Sequence, residues 1–232
     1  MRLDQPYGKR FDDDLADTEP RRKYYIACEG KKTEYQYFKG LLEAREELGI
    51  SPLVEVLPIN HSPGTKNHPL HIIQETKQVI DGCETYFPEV DTVCIIVDRD
   101  AKSFTPSQYD EAISVCKANA YTFVVSNPCI EIWLLFHYTG LQAYPQQDIL
   151  ENKKIGSRTY VERKLKDVFL NGSYNKARIQ FARDFLPHVQ KALENSAQYA
   201  QTIEELKTKI GSKVGLLVKE LLKPDDTRDI WG

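Results

Sequence analysis

No stretch of this 232-residue sequence approaches the roughly 18–20 consecutive apolar residues that span a bilayer, and its opening MRLDQPYGKRFDDDLADTEPRRK holds no apolar run of the signal-peptide kind. A soluble, cytoplasmic protein without membrane attachment is the expectation. An excess of positive charge is also missing. Lys and Arg number 31 against 34 Asp and Glu, a net charge of −3, so there is no global attraction to a polyanion and any nucleic-acid binding must be local. The five cysteines (Cys28, Cys83, Cys94, Cys116, Cys129) are odd in number, widely spaced and without a C-x-x-C. They suit reduced thiols of a core better than disulfides or a zinc site. Internal repeats and low-complexity tracts are absent as well.

What is present is enough apolar material, 41% of residues, to bury a sizeable core. Residues 1–20 are polar and acid-rich and read as a mobile arm. From residue 21 to about 140, β-prone runs alternate with helical spacing. Strands are expected at 23–28, 54–59, 92–97 and 122–126, and helices at 33–47, 69–80, 106–119 and 128–138, the last with Pro128 at its first position. The run TVCIIV at 92–97 is continuously apolar and β-branched, the mark of a strand covered on both faces. Alternation of this kind predicts an α/β fold with a mainly parallel sheet flanked by helices. Residues 141–232 are polar, helix-favouring and free of strand-like runs, so a helical C-terminal extension is expected.

In an open α/β sheet the ligand sits at the carboxyl ends of the strands, which directs attention to acids there. Glu29 follows the first strand, Asp98 and Asp100 follow the third, and Glu131 opens the helix after the fourth. A lone D-x-D is more often a cap or a surface acid. Two carboxylates fixed at the end of a buried strand, however, repel each other unless a cation lies between them, and hard oxygen ligands suit Mg²⁺ or Mn²⁺. Such an ion can stabilise the charge that develops in phosphoryl transfer. Glu29 then serves as a proton-transfer group or a further ligand. Glu34 stands in the first turn of the helix that starts near Thr33, where the ordinary reading is a favourable acid at the helix N-terminus. Lys31, Lys32, Lys66, Arg99 and Lys102 lie near the expected mouth and offer phosphate contacts, although the loop HSPGTKN that carries Lys66 is more commonly a plain surface turn.

Three ordered motifs carry a resemblance: Cys28-Glu29-Gly30-Lys31-Lys32-Thr33-Glu34 followed by Tyr37-Phe38, then Ile96-Val97-Asp98-Arg99-Asp100, then the block from Ser126-Asn127-Pro128-Cys129 through Glu131, Trp133 and His137 to Tyr138. Together they resemble the RloB-like family, which is assigned to the Toprim superfamily and is related to the OLD-type Toprim nucleases. The resemblance implies a Toprim core with Glu29 as the acidic proton-transfer residue, Asp98 and Asp100 as metal ligands, and Glu34 helping to hold a second metal. Glu131 enters as a supporting acid from the family block. Tyr174-Asn175-Lys176 resembles a Y-x-K element and makes Lys176 a phosphate contact. By the same resemblance the protein is expected to be a Mg²⁺- or Mn²⁺-dependent nuclease of prokaryotic anti-phage defence. It would cleave DNA or RNA, tRNA included, and act with an AAA/ABC-type ATPase partner, with self-association as a homo-oligomer left open. The competing expectation is a non-catalytic Toprim-like subunit of an ATPase complex, and a third is another phosphotransfer or primase-related reaction on the same core.

Overall fold

A computed structural model of the chain describes residues 22–28, 32–50, 54–58 and 69–222. Among these, five strands form one sheet in the order β2-β1-β3-β4-β5: β1 Tyr24–Cys28, β2 Val54–Pro58, β3 Thr92–Asp98, β4 Thr122–Asn127 and β5 Gly211–Ser212. The first four pair in parallel, and β5 joins β4 antiparallel. The helices between them are α1 Thr33–Glu43, α2 Arg45–Leu48, α3 Pro69–Asp81, α4 Pro106–Ala118 and α5 Glu131–Phe136. The C-terminal residues add α6 Gln146–Glu151, α7 Tyr160–Arg163 continuing into a π-helical turn Lys164–Phe169, α8 Phe181–Asp184, α9 Val189–Ser196, α10 Ile203–Leu206 and α11 Val214–Leu222. This is the expected α/β, Toprim-like layout of a mainly parallel sheet between helices.

The sheet forms because the strands are buried on both faces. All five residues of β1 are buried, and side chains alternate between two cores. Tyr24, Ile26, Cys28, Cys94, Ile96 and Val124 face the larger core with α1, α5 and most of the C-terminal helices. Tyr25, Ala27, Val93, Ile95, Val97 and Val125 face the smaller one with α3, α4 and Leu206 of α10. Residues after 140 are thus built into the same core as the sheet: Val161, Leu165, Phe185 and Leu217 share the larger cluster with Trp133. The helix α4 starts where its sequence says it should, with a reciprocal capping box between Thr105 and Gln108 and Pro106 in the first turn.

Three local expectations are corrected. The helix expected at 128–138 is shorter: Asn127–Pro128 is a cis peptide and α5 opens only at Glu131. Residues 128–130 are used instead to tie neighbouring strand ends together, the Pro128 carbonyl accepting from the Asp100 N–H at 3.2 Å. The helix expected at 33–47 is broken at Ala44 into α1 and α2. Finally, the C-terminal part is not free of strand. Gly211–Ser212 pairs with Asn127 and Ser126, and the Ser126 and Ser212 hydroxyls lie 2.8 Å apart. Gly211 is required there, since a Cβ would stand 2.0 Å from the Ala200 carbonyl oxygen.

Candidate active site

The helix after β1 packs on one face of the sheet and the helix after β3 on the other, α1 in the larger core and α4 in the smaller. Between the carboxyl ends of β1 and β3 the chain therefore departs in opposite directions, leaving the crevice at which open sheets bind their ligands. Cys28 pairs with Ile96, so Asp98 extends two residues past the last described residue of β1. Glu29 and Lys31, which follow Cys28, lie outside the described residues, as does Lys66.

Asp98 is half-buried, and its Oδ1 accepts from the Ile130 backbone N–H at 2.7 Å. The Arg99 N–H donates to the Ser126 carbonyl at 2.8 Å. The end of β3 is thereby fastened to the turn after β4, which fixes the carboxylate before any ligand arrives. Asp100 is exposed; its Oδ2 accepts from the Ser103 hydroxyl at 2.7 Å and its Oδ1 from the Lys102 N–H at 3.3 Å. Glu34 is buried in the first turn of α1, close enough to Cys28 that, after burial itself, its charge is the next cause of that thiol's raised pKa. Lys32 is exposed just before α1.

Glu131 is held beneath this edge at 2% exposure. Its Oε1 accepts from the Tyr174 hydroxyl at 3.2 Å and pairs with Lys176 Nζ at 2.7 Å. Tyr174 also lies 3.5 Å from the Thr33 hydroxyl, so Thr33 faces this network instead of capping α1. Lys176 is further paired with Glu162 at 3.4 Å. Burial lowers its pKa, yet the Glu131 carboxylate, with Glu162 behind it, carries it above the usual lysine range. Asp98 and Glu131 converge on Cys129: its thiol is pushed up first by burial, then by the Glu131 and Asp98 charges. Glu162 was not singled out from sequence, since a glutamate in a polar helical segment carries no motif, and Tyr174 entered only as part of the Y-x-K element, with no role of its own.

Arg99 is a correction. Expected as a phosphate contact, it is 3% exposed and turned inward. Its Nε donates to the Lys207 carbonyl at 3.1 Å, a terminal nitrogen donates to the Phe104 carbonyl, and the guanidinium lies 5.1 Å from the Tyr109 ring centroid. A planar cation that satisfies carbonyls and stacks on an aromatic ring is a structural clamp between β3, α4 and α10.

The donors at the end of β3 fit a hard divalent cation, being carboxylate oxygens held on a rigid element. Among the described residues, no group of three or more His, Cys, Asp or Glu side chains is gathered closely enough to hold a metal ion. Two carboxylates come from β3, and the third strand-end acid, Glu29, is outside those residues.

His137, the last polar residue of the family block, belongs to the supporting core. Its Nδ1 is 3.1 Å from the Trp133 carbonyl, which can only accept, so Nδ1 carries the proton and Nε2 accepts from the Tyr37 hydroxyl at 3.2 Å. Burial holds the imidazole neutral, with a pKa down at about 3. An unfolded histidine takes up its proton near pH ~6.5, so the unfolded state gains protons first as pH falls and stability declines from there toward pH ~3. His137→Gln should flatten that decline by up to about 1.4 kcal/mol per pH unit, the worth of one proton. Urea unfolding of both proteins at pH 7 and pH 5 tests this, and equal losses in the two would place His137 outside the linkage.

Fold and site together define an α/β protein with acids collected at the carboxyl edge of a mainly parallel sheet. The sequence profile of the RloB-like protein family matches residues 24–221, and the chain belongs to that family. No curated protein and no solved structure matches it. No helix among the described residues is long and apolar enough to cross a membrane. The five thiols are unpaired, four buried and Cys83 half-buried.

Proposed function

We propose that this protein is a Toprim-type nuclease that cleaves phosphodiester bonds of DNA or RNA with Mg²⁺ or Mn²⁺, acting in anti-phage defence beside an ATPase partner. The observation that supports it most is Asp98 and Asp100 on the end of β3 at the sheet's switch point, anchored through Ile130, Ser126 and Pro128 to the next strand end. Asp98 and Asp100 would hold the metal, with Glu29 and Glu34 as further ligands. Bound there, the ion would supply charge stabilisation at the phosphate under attack. Asp98 presents its carboxylate in a position already set by the Ile130 N–H, so little reorganisation is needed on binding. Glu131 is a positioning residue in this reading. Its paired carboxylate holds Tyr174, Lys176 and, through Tyr174, the first turn of α1 around the site.

Purified protein with Mg²⁺ or Mn²⁺ should cut at least one of plasmid, single-stranded DNA and tRNA, alone or with its ATPase. Asp98→Ala and Asp100→Ala should each weaken metal binding in calorimetry by roughly tenfold or more, since losing even an outer-shell partner costs about 10–100-fold. Unchanged metal affinity in Asp98→Ala removes that residue from the site. Absence of cleavage under every condition favours the regulatory-subunit reading.

A further inference from the structure

The overall charge of −3 conceals a strongly uneven distribution. Between residues 153 and 178 the chain carries eight basic residues (Lys153, Lys154, Arg158, Arg163, Lys164, Lys166, Lys176, Arg178) and two acids, Glu162 and Asp167. Within this stretch the fold opens a cleft of about 460 Å³ lined by Arg158, Glu162, Lys166, Ser173, Asn175 and Lys176, among others. The cations are arranged to keep donors available. Glu162 bridges Arg158, at 3.5 Å from its Nε, and Lys176, at 3.4 Å, so one carboxylate holds two cations side by side. The terminal guanidinium nitrogens of Arg158, the Lys166 ammonium and the Asn175 amide nitrogen have no partner among the described residues. With Lys176 also paired to the buried Glu131, the three cations Arg158, Lys166 and Lys176 still outnumber the two carboxylates that meet them, which leaves a surplus of positive charge in the cleft.

Its position matters as much as its charge. Lys176 forms the cleft wall and at the same time pairs with Glu131 at 2.7 Å, and its neighbour Tyr174 bonds Glu131 and approaches Thr33. Lys176 and Tyr174 thus tie the cleft wall to Glu131 and the start of α1, beneath the strand-end edge that carries Asp98. A single small anion needs one such subsite. Further basic residues precede and follow the cleft's in sequence (Lys153 and Lys154, then Arg178), which suits a ligand with repeated phosphates.

We propose that the cleft lined by Arg158, Lys166 and Lys176 binds the phosphate backbone of a nucleic-acid strand and leads that strand to the acidic edge. This rests on the nuclease reading for the ligand's class and adds the surface that holds it. Backbone phosphates are the shared chemistry of RNA and DNA, so the probes are fluorescein-labelled single-stranded RNA and DNA 20-mers of one sequence, followed by anisotropy in EDTA over a salt series. The Arg158→Ala/Lys166→Ala double variant should bind at least tenfold more weakly than wild type at low salt. Each lost phosphate contact on a single strand should also reduce the salt slope of log affinity by about 0.7. Arg158 and Lys166 lie on the surface, and a melting curve confirms that the variant is folded. Lys117→Ala/Lys191→Ala, which removes two exposed lysines elsewhere, should leave both quantities unchanged. A preference for one 20-mer names the source of the phosphates.

Equal affinity and slope in the Arg158→Ala/Lys166→Ala variant overturns the proposal, as does an equal loss in the control or failure of wild type to bind either 20-mer. The nuclease reading is judged separately by metal-dependent cleavage. A protein that cuts normally without Arg158 and Lys166 loses the cleft but keeps the activity, and one that binds through the cleft yet never cuts loses the activity alone.

Discussion

Glu29→Gln is expected to abolish turnover while leaving the fold and much of the nucleic-acid binding in place. Glu29 directly follows β1, whose last residue, Cys28, pairs with Ile96 two positions before Asp98. A glutamine at that point keeps volume and some hydrogen bonding but can neither accept a proton nor carry charge. If Glu29 transfers a proton, the rate should fall on the order of 10²–10⁴-fold, and further if it also holds metal. Asp110→Asn is the matching control. Asp110 is an exposed partner of Lys207 at 2.7 Å on α4, and a surface pair of that kind contributes about 0–1 kcal/mol. Single-turnover cleavage by both variants, after melting curves show them folded, decides the matter. Near-normal cutting by the Glu29 variant would mean that the residue is only part of a turn.

The second large effect is on stability. Trp133→Ala should cost about 3–5 kcal/mol, the range for emptying a buried aromatic site. That is a large share of the roughly 5–15 kcal/mol that holds a domain folded. Trp133 is fully buried and meets Tyr37 and His137 edge-on, with centroids at 6.2 and 5.1 Å. Tyr37 in turn contacts Phe38, Phe181 and Phe185, which joins α1, α5 and α8 in one aromatic cluster. Trp133→Phe should be far milder, because the indole Nε1 is buried without a hydrogen-bond partner and its removal breaks no such bond. Chemical denaturation of the three proteins measures both steps, and a cost below about 1 kcal/mol for the alanine variant, the level of an ordinary surface change, would contradict the central place given to Trp133.

Much of the scaffold was legible in the residues alone. Runs such as TVCIIV and TFVVS are apolar on consecutive positions, which only a strand covered on both faces can bury, and they emerge as β3 and β4. Thr105-Pro106 with Gln108 specifies the start of α4 through local hydrogen bonds, and local bonds need no tertiary partner. The strand ends, and with them Asp98 and Asp100, follow from the same runs.

Tertiary contacts decided the rest. Strand β5 is two residues long, too short for any periodicity, and it exists because β4 offers an edge and Gly211 lets Ala200 approach. Nothing in Asp98-Arg99-Asp100 tells which way the middle side chain turns. Arg99 faces inward because carbonyls of Phe104 and Lys207 and the Tyr109 ring wait there, contributed by separate elements. Lys176 was expected as a phosphate contact, and its ammonium is held by Glu131 and Glu162 from two helices. Patterning along a chain reports what each segment must bury. Which charges meet depends on how segments distant in sequence pack, and only the folded arrangement settles that.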